Sequence, residues 1–308
     1  MDKLNTGDRV FYGLTKFFSW LILILIFAML AAMVSFSWPA IRKFGLSFIT
    51  STKWNPVKSD FGALPFIYGS LVTSLISLVI AVPLGVGAAV FLTEIAPGKL
   101  SRPLSFVIEL LAAVPSVIYG FWALFVLVPL IREYIQPFLS EYLGFLPVFQ
   151  GPMMGLGIFA AGVILAVMIL PIITSITRDV LEAVPDEQRQ GMLALGATRW
   201  ETIWHIVLPH GKAGIIGAVI LAFGRAVGET MAVTMVIGNV NKISHSFFAL
   251  GNTMSSVIAS EFAEAVSGLH LGALVGLGLL LFLITLVLNI AARVLIYFTK
   301  KQYGRRGK

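Results

Sequence analysis

Six long apolar runs, separated by short polar segments, dominate the pattern of hydrophobic and polar positions along this chain. Each run is long enough to cross a lipid bilayer, which takes about 20 apolar residues in a helix. Because lipid offers no hydrogen-bond partner to an open backbone, the pattern predicts an all-α polytopic integral membrane protein with six transmembrane helices. The runs are Phe17–Phe36, Phe66–Leu92, Leu104–Ile131, Pro152–Thr174, Lys212–Gly238 and Gly272–Phe298.

The composition agrees with a membrane protein. Of all residues, 58% are hydrophobic and 12% are charged, whereas a soluble domain carries about 25% charged residues. The first run follows basic residues, as a signal peptide would, but it is too long and lacks a small-residue cleavage site, so we expect an uncleaved span. Cysteine is absent, which excludes a disulfide framework and a thiolate metal site.

The positions of lysine and arginine predict the orientation. If the N-terminus lies inside, most basic residues outside the runs fall in inside segments, so both termini are expected in the cytoplasm of a multi-pass protein of the bacterial plasma membrane. This distribution also explains the net charge of +7 without any nucleic-acid partner. The first outside loop is an exception, because it contains four basic residues and only one acidic residue, Asp60. Either a long loop tolerates these basic residues, or they attract an anion or an acidic partner.

The polar segment Arg178–Pro209 predicts a helical hairpin. Pro185 suits a first turn, with acidic residues placed at the positive end of the helix dipole, and Gly196 is a natural stop. Thr198 and Glu201 have the spacing of a capping box, which begins a second helix. Its apolar residues are expected to form one stripe ending at Pro209 and Gly211; they are Trp200, Ile203, Trp204 and Val207. Such a hairpin between two spans is typical of a docking element.

Pro115 interrupts the third run and predicts a kink, because proline removes a backbone donor. Ser116 and Tyr119 then place hydroxyl groups near the start of a half-helix, whose dipole favours anions. These hydroxyls either satisfy the kink or face a substrate. Glu109, earlier in the same run, either pairs with a neighbouring helix or lines an exit path. His245 and His270, in the last outside loop, have no metal-ligand spacing and are expected on the solvated surface.

Arg225 and Glu229 provide the sharpest chemical signal. Both lie in the fifth run and are predicted to share one helix face, one turn apart. A charge at the bilayer centre costs about 2.5–3.5 kcal/mol, so the pair should face a partner or a wet cavity. It is either a structural ion pair or a substrate site. As a site, the arginine fork would bind an oxyanion, and the carboxylate would accept the O–H of protonated phosphate but repel sulfate.

No phosphate-binding loop for ATP occurs: the Gly-Lys pairs at Gly98 and Gly211 lack the following serine or threonine, and the pair at Gly307 lacks the earlier glycine that such a loop needs. The chain is therefore predicted not to hydrolyse ATP or to act as an enzyme. An ion-coupled secondary anion transporter or a channel would explain the charged pair equally well, but neither would use the hairpin. A membrane-embedded enzyme would need a catalytic constellation that the sequence does not present.

The hairpin resembles the cytoplasmic signature of ABC-importer permeases, Glu-Ala-Ala followed by glycine and then by Ile-x-Leu-Pro. The later part matches at Gly196, Ile206, Leu208 and Pro209, whereas the leading triplet falls on Gln190, Gly191 and Met192. The resemblance implies that the hairpin over 190–209 docks into an ATPase groove, with contact carried mainly by the corner from Leu195 through Gly196 and Ala197 to Thr198. It also implies the type I, MetI-like permease fold.

Four further segments resemble the PstC type of permease from the phosphate-specific transport (Pst) system: Phe61–Leu75, Ile108–Trp122, Phe223–Val233 and Gly251–Ala265. This family implies a heterodimer with a sister permease, two ATPase subunits that use ATP and magnesium, an external phosphate-binding protein, and no cofactor bound by this chain. A permease for another oxyanion, such as sulfate or molybdate, is the alternative within the class. We divide the chain into an N-terminal helix with its loop (1–65), a permease core (66–298) and a basic tail (299–308).

Overall fold

The computed structural model describes residues 6–306. Two short ends lie outside the description: residues 1–5 of the predicted N-terminal unit and residues 307–308 of the predicted tail. The side chains of the rest of that tail lie outside it as well. Within the described part, helices and one short β-hairpin form the ordered elements. They are α1 (Thr6–Phe44), α2 (Ser47–Thr50), β1 (Trp54–Asn55), β2 (Asp60–Phe61), α3 (Leu64–Ile95), α4 (Gly98–Ala113), α5 (Ser116–Leu143), α6 (Ile158–Glu182), α7 (Asp186–Ala194), α8 (Arg199–Gly228), α9 (Met231–Val236), α10 (Met254–Glu261) and α11 (Gly268–Arg306).

Six of these helices are long and apolar enough to cross a membrane, which confirms the predicted number of spans. They are α1, α3, α5, α6, α8 and α11. Helix α6 lies at the centre, with 67% of its most apolar window buried, and it packs extensively against α3 and α8. Helix α1 lies at the edge, where it packs against α11, and none of its most apolar window is buried. Its apolar side chains are therefore suited to contact lipid.

The third span differs from its predicted bounds because Pro115 breaks the helix completely. Val114 and Pro115 both have extended backbones, with ψ of 130° and 140°. Proline has no N–H to donate, and its ring disfavours the helical conformation of the preceding residue. The prediction of one kinked helix over Leu104–Ile131 is therefore wrong. Instead, α4 lies against α6 as a separate helix, and the span begins at Ser116.

The fifth span also differs, and the difference moves both of its ends. It begins at Arg199, inside the predicted hairpin, and runs without interruption to Gly228. The prediction that Pro209 ends the hairpin helix is wrong. A π-helical turn at Ile203–Val207 precedes the proline, and its wider spacing leaves room for a ring that would otherwise clash with a carbonyl one turn back.

A polar cluster joins the two largest loops on the side of the bundle opposite α7. Glu261 accepts hydrogen bonds from the Trp54 indole at 2.9 Å and from the Asn241 amide at 3.1 Å. His270 lies 3.0 Å from the same carboxylate and stacks on Phe61. The predicted surface position is therefore wrong for His270, which is 6% exposed because it packs inside this cluster. His245 is exposed, as predicted.

Candidate functional site

The α7–α8 corner is built from local signals that the sequence carries. The acidic residues Asp186 and Glu187 occupy the first turn of α7, after Pro185. Gly196 follows the end of α7 with a φ of +89°, and its N–H donates to the Leu193 carbonyl at 3.0 Å. This left-handed cap is favourable for glycine. The predicted stop at Gly196 is confirmed.

A capping box then begins α8. The Thr198 hydroxyl accepts from the Glu201 backbone N–H at 3.3 Å, and the Glu201 carboxylate accepts from the Thr198 backbone N–H at 2.7 Å. Both orphan donors of the helix start are therefore satisfied. The predicted capping box is confirmed, and together with the Gly196 cap it gives the corner a defined shape.

The apolar residues of this segment do not form one stripe, so that prediction is wrong. Ile203 and Val207 are buried against the ends of α3 and α6, whereas Trp200 and Trp204 are exposed and stack edge to face on each other. Each pair is spaced by four residues, and the two pairs occupy neighbouring sides of the helix. The exposed apolar side chains together define the docking surface, which consists of Leu193, Leu195, Trp200 and Trp204.

The other signature residues divide between this surface and the bundle. Gly196 and Thr198 are exposed beside Leu195, which is 86% exposed, and Ala197 is half-buried. Ile206 and Leu208 pack against the buried cluster at the base of the bundle, and Pro209 is half-buried. The later part of the signature therefore contacts the chain itself, and the corner is the part that remains open to a partner.

Arg189 holds α7 to the bundle, a role that sequence reasoning missed. Its guanidinium pairs with Glu94 in the last turn of α3 at 3.0 Å and donates to the Leu181 carbonyl of α6 at 2.7 Å. It also donates to the Val184 carbonyl and pairs with Asp186. The local Asp186 spacing is visible in the sequence, but no sequence pattern indicates the partner on α3, which is far away along the chain.

Arg225 and Glu229 line one cavity of about 610 Å³ between α6, α8 and α11. They do not share a helix face as predicted, because α8 ends at Gly228 and Glu229 has an extended backbone with a ψ of 131°. The Ser255 hydroxyl donates to the Glu229 carbonyl at 2.7 Å and holds this break. Among the ion pairs of the described residues, none joins Arg225 to Glu229. The structural ion pair is therefore not formed in this conformation.

The two charged groups differ in exposure. Arg225 is exposed in the single chain, whereas Glu229 is 8% exposed and its carboxylate makes no hydrogen bond within residues 6–306. A guanidinium supplies donors and a carboxylate supplies acceptors. The cavity therefore offers both kinds of group to a ligand.

Helix α11 adds two polar residues that sequence reasoning also missed. Thr285 and Asn289 line the same cavity. The Asn289 amide nitrogen donates to the Thr285 carbonyl at 2.8 Å, which leaves the amide oxygen as a further acceptor. Their four-residue spacing inside the mostly apolar last run is a signal that could have identified them. A neighbouring cavity of about 460 Å³, which shares Asn289, is almost wholly apolar and therefore poorly suited to an anion.

The remaining predicted pathway residues do not line this cavity. Tyr119 is half-buried, and its hydroxyl donates to the Leu111 carbonyl at 2.8 Å across the Pro115 break. Ser116 is half-buried at the start of α5. Glu109 pairs with Arg178 of α6 at 3.1 Å, so of its two predicted roles the contact with a neighbouring helix is formed.

Metal binding finds no support in the described residues, since no group of three or more histidine, aspartate or glutamate side chains is placed to hold an ion.

Comparison with known proteins gives a family match over most of the chain. Residues 81–300 match the family described as binding-protein-dependent transport system inner membrane component. The chain is 46% identical over 303 residues to the phosphate transport system permease protein PstC of Pasteurella multocida, covering 97% of this chain and 94% of that protein. It is 41% identical over 283 residues to phosphate transport system permease protein PstC 2 of Mycobacterium tuberculosis, covering 89% of this chain and 86% of that protein.

Solved structures show the same fold at low identity. The MetNI methionine ABC transporter in an inward-facing conformation matches with a TM-score of 0.56 and 18% identity, over 76% of this chain and 94% of that one. A bacterial ABC transporter involved in the import of the acidic polysaccharide alginate matches with a TM-score of 0.60 and 16% identity, over 93% of this chain and 96% of that one. The chain therefore has the fold of an ABC-transporter permease, as the hairpin signature indicated.

Proposed function

Because this chain belongs to the PstC family of phosphate transport permeases, within the binding-protein-dependent inner membrane components, we propose that it forms part of the phosphate path of an ATP-driven importer. It is a multi-pass membrane protein and a transport subunit without enzymatic activity of its own. The proposed assembly also contains a sister permease, with which this chain would enclose the path. Two ATPase subunits and an external phosphate-binding protein complete it.

The observation that carries this proposal is the continuity of α8. One helix, Arg199–Gly228, begins at the docking surface and ends at the cavity that Arg225 and Glu229 line. At 1.5 Å per residue, the helix separates Arg199 from Arg225 by roughly 40 Å. We propose that α8 moves as one body, so that a displacement of the corner moves the cavity wall. A channel or an ion-coupled transporter has no use for such a connection.

The docking surface accounts for the source of energy. The described chain exposes leucine and tryptophan side chains at the polar corner where α7 ends and α8 begins, and large exposed apolar side chains in such a place are typical of a protein-binding site. The sequence contains no ATP-binding loop. We propose that an ATPase subunit, using ATP and magnesium, covers this surface on the cytoplasmic side. The distribution of lysine and arginine predicts that side for both the corner and the termini.

The donors and acceptors of the cavity favour phosphate. The Arg225 guanidinium would bind two oxygens of an oxyanion. The Glu229 carboxylate and the Asn289 amide oxygen would accept the O–H groups that phosphate carries near neutral pH and sulfate lacks. For sulfate, the same acceptors would remain unsatisfied, and the carboxylate would repel the ion. Phosphate should therefore be preferred over sulfate or molybdate.

Transport in vesicles tests this function. The chain would be purified with its sister permease and ATPase subunits, reconstituted into liposomes and supplied with the external binding protein. We expect uptake of labelled phosphate that requires ATP inside the vesicles, with unlabelled arsenate competing and sulfate failing to compete. Uptake driven by an ion gradient without ATP would contradict the importer, and equal competition by sulfate would contradict the selectivity.

A further inference from the structure

Arg189 connects three elements at the end of the bundle nearest the docking surface. It belongs to α7, and its guanidinium reaches Glu94 in the last turn of α3, the Leu181 carbonyl in the last turn of α6 and the Val184 carbonyl just beyond that helix. Its side chain is 17% exposed and that of Glu94 is 12% exposed, so the contact is largely shielded from water. Shielding strengthens such a charged hydrogen bond.

The contact uses the fork of the guanidinium fully. Both Nε and Nη2 donate to the same Glu94 oxygen, at 3.3 and 3.0 Å, and Nη2 also donates to the Leu181 carbonyl. The terminal carbonyls of a helix carry partial negative charge, which a cation at that position stabilises. A lysine has a single charged nitrogen and cannot hold all these partners in the same geometry.

The position of these partners suggests more than a local cap. Helix α6 is the most buried span and packs extensively against α3. Ile172 of α6 lines the cavity, and it lies on the same helix as Leu181, whose carbonyl accepts a hydrogen bond from Arg189. Movement of α7 is therefore linked through Arg189 to the two inner helices as well as through the corner to α8.

We propose that Arg189 is a positioning residue for transport: it transmits displacement of α7 to α3 and α6, in parallel with the direct route through α8. Without this contact, α7 would move against the bundle instead of with it. ATP hydrolysis would then continue while the cavity failed to open and close in step. This inference rests on the proposed importer function.

The test compares three variants of the reconstituted complex: Glu94→Gln, Arg189→Lys and Asp186→Asn. The first two weaken the contact with α3, and the third removes only the exposed partner within α7, which makes it a matched control. For Glu94→Gln and Arg189→Lys we expect phosphate uptake to fall by about tenfold, while assembly and binding-protein-stimulated ATP hydrolysis stay within about twofold of wild type, because coupling between sites is typically worth 5–150-fold. Asp186→Asn should behave as wild type.

Two results would overturn the proposal. If phosphate uptake and ATP hydrolysis fall together, in proportion to the amount of assembled complex, Arg189 only stabilises the structure. If uptake is unchanged, Arg189 has no role in coupling. The wild-type complex separates these results from a failure of the importer function itself, which would abolish ATP-driven phosphate uptake before any substitution.

A second measurement does not depend on transport. The chain has no cysteine, so spin labels can be attached at Gln188→Cys on α7 and Ile95→Cys at the end of α3, both at exposed positions. In the wild-type background, the distance between the labels should keep one narrow distribution with and without ATP. In the Arg189→Lys background it should broaden or shift when ATP is added. A distribution that is equally narrow in both backgrounds would contradict a linking role.

Discussion

Arg225 and Glu229 line one cavity across the end of α8 and form no ion pair with each other. The helix break at Gly228 separates them, because the extended backbone at Glu229 directs the chain away from the helix axis. A paired arginine and glutamate would satisfy each other and leave little for a substrate. Held apart, the guanidinium keeps its donors and the carboxylate its acceptors, which is the arrangement that a protonated oxyanion requires.

Substitution of Arg225 should abolish most transport. In Arg225→Gln the charge is lost, and charged hydrogen bonds contribute about 1.5–3 kcal/mol each, so we expect phosphate uptake to fall by at least tenfold with assembly unchanged. The measurement is uptake in vesicles with normal ATPase content. Uptake at the wild-type rate would remove Arg225 from the path.

Substitution of Glu229 should change the selectivity between phosphate and sulfate more than it changes assembly of the complex. Glu229→Gln removes the charge that repels sulfate and replaces one acceptor by a donor. We expect phosphate uptake to decrease and sulfate to become a competitor, measured as the ratio of inhibition constants. If sulfate still fails to compete, the carboxylate is not the group that rejects it.

Asn289 should contribute through its free amide oxygen. Asn289→Leu keeps a similar volume and removes the acceptor, at a cost of about 0.5–1.5 kcal/mol per lost hydrogen bond. We therefore expect the concentration for half-maximal phosphate uptake to rise several-fold. Val287→Leu is the control, since Val287 is exposed on the same helix and does not line the cavity. An equal change in both variants would point to altered packing of α11.

Gly196 should be required for the shape of the corner. Gly196→Ala forces a side chain into a left-handed conformation with a φ of +89°, which costs roughly 1–2 kcal/mol. We expect weaker binding of the ATPase subunits and a lower melting temperature of the assembled complex. Gly191 provides the control because it lies inside α7, where alanine fits freely and favours the helix by about 0.5–1 kcal/mol. If Gly191→Ala weakens binding as strongly, the cap is not the cause.

Leu195 should contact the ATPase directly. Its side chain is 86% exposed, so Leu195→Glu should leave the fold of this chain intact and prevent burial of that position in a partner, since an unpaired buried charge is costly. We expect loss of ATPase subunits on co-purification. Val57→Glu, at a 94% exposed position in the β1–β2 hairpin loop, is the matched control and should retain them. Retention by both variants would place the partner elsewhere.

Local signals in the sequence predicted the corner well. Gly196 and the Thr198–Glu201 box act within a few residues, and each satisfies backbone groups that any helix end leaves open. The number of spans was predictable for a similar reason, because an apolar run of sufficient length is a property of the segment alone. The resemblance to the family signature then predicted that the corner is a docking element, and this stays a prediction.

Contacts between distant parts of the chain were harder to predict from the sequence. A proline in an apolar run indicates a disturbed helix but not whether it bends, as expected at Pro115, or ends. A proline usually ends a helix, but the π-helical turn before Pro209 lets the helix continue through it. No residue pattern in the sequence predicted that turn. Partners such as Glu94 for Arg189, or Asn289 for the Arg225 cavity, lie on helices distant in sequence. Only the packing of the helices brings them together.

The packing of α1 against α11 also has a consequence for how the chain is made. These are the first and last helices in chain order, and α1 has most of its apolar surface uncovered. Synthesis at about 5–20 residues per second separates the completion of α1 from the appearance of α11 by roughly ten to fifty seconds. During that interval α1 must persist in the bilayer as an independent helix, and its contact with the bundle forms only after α11 has been made.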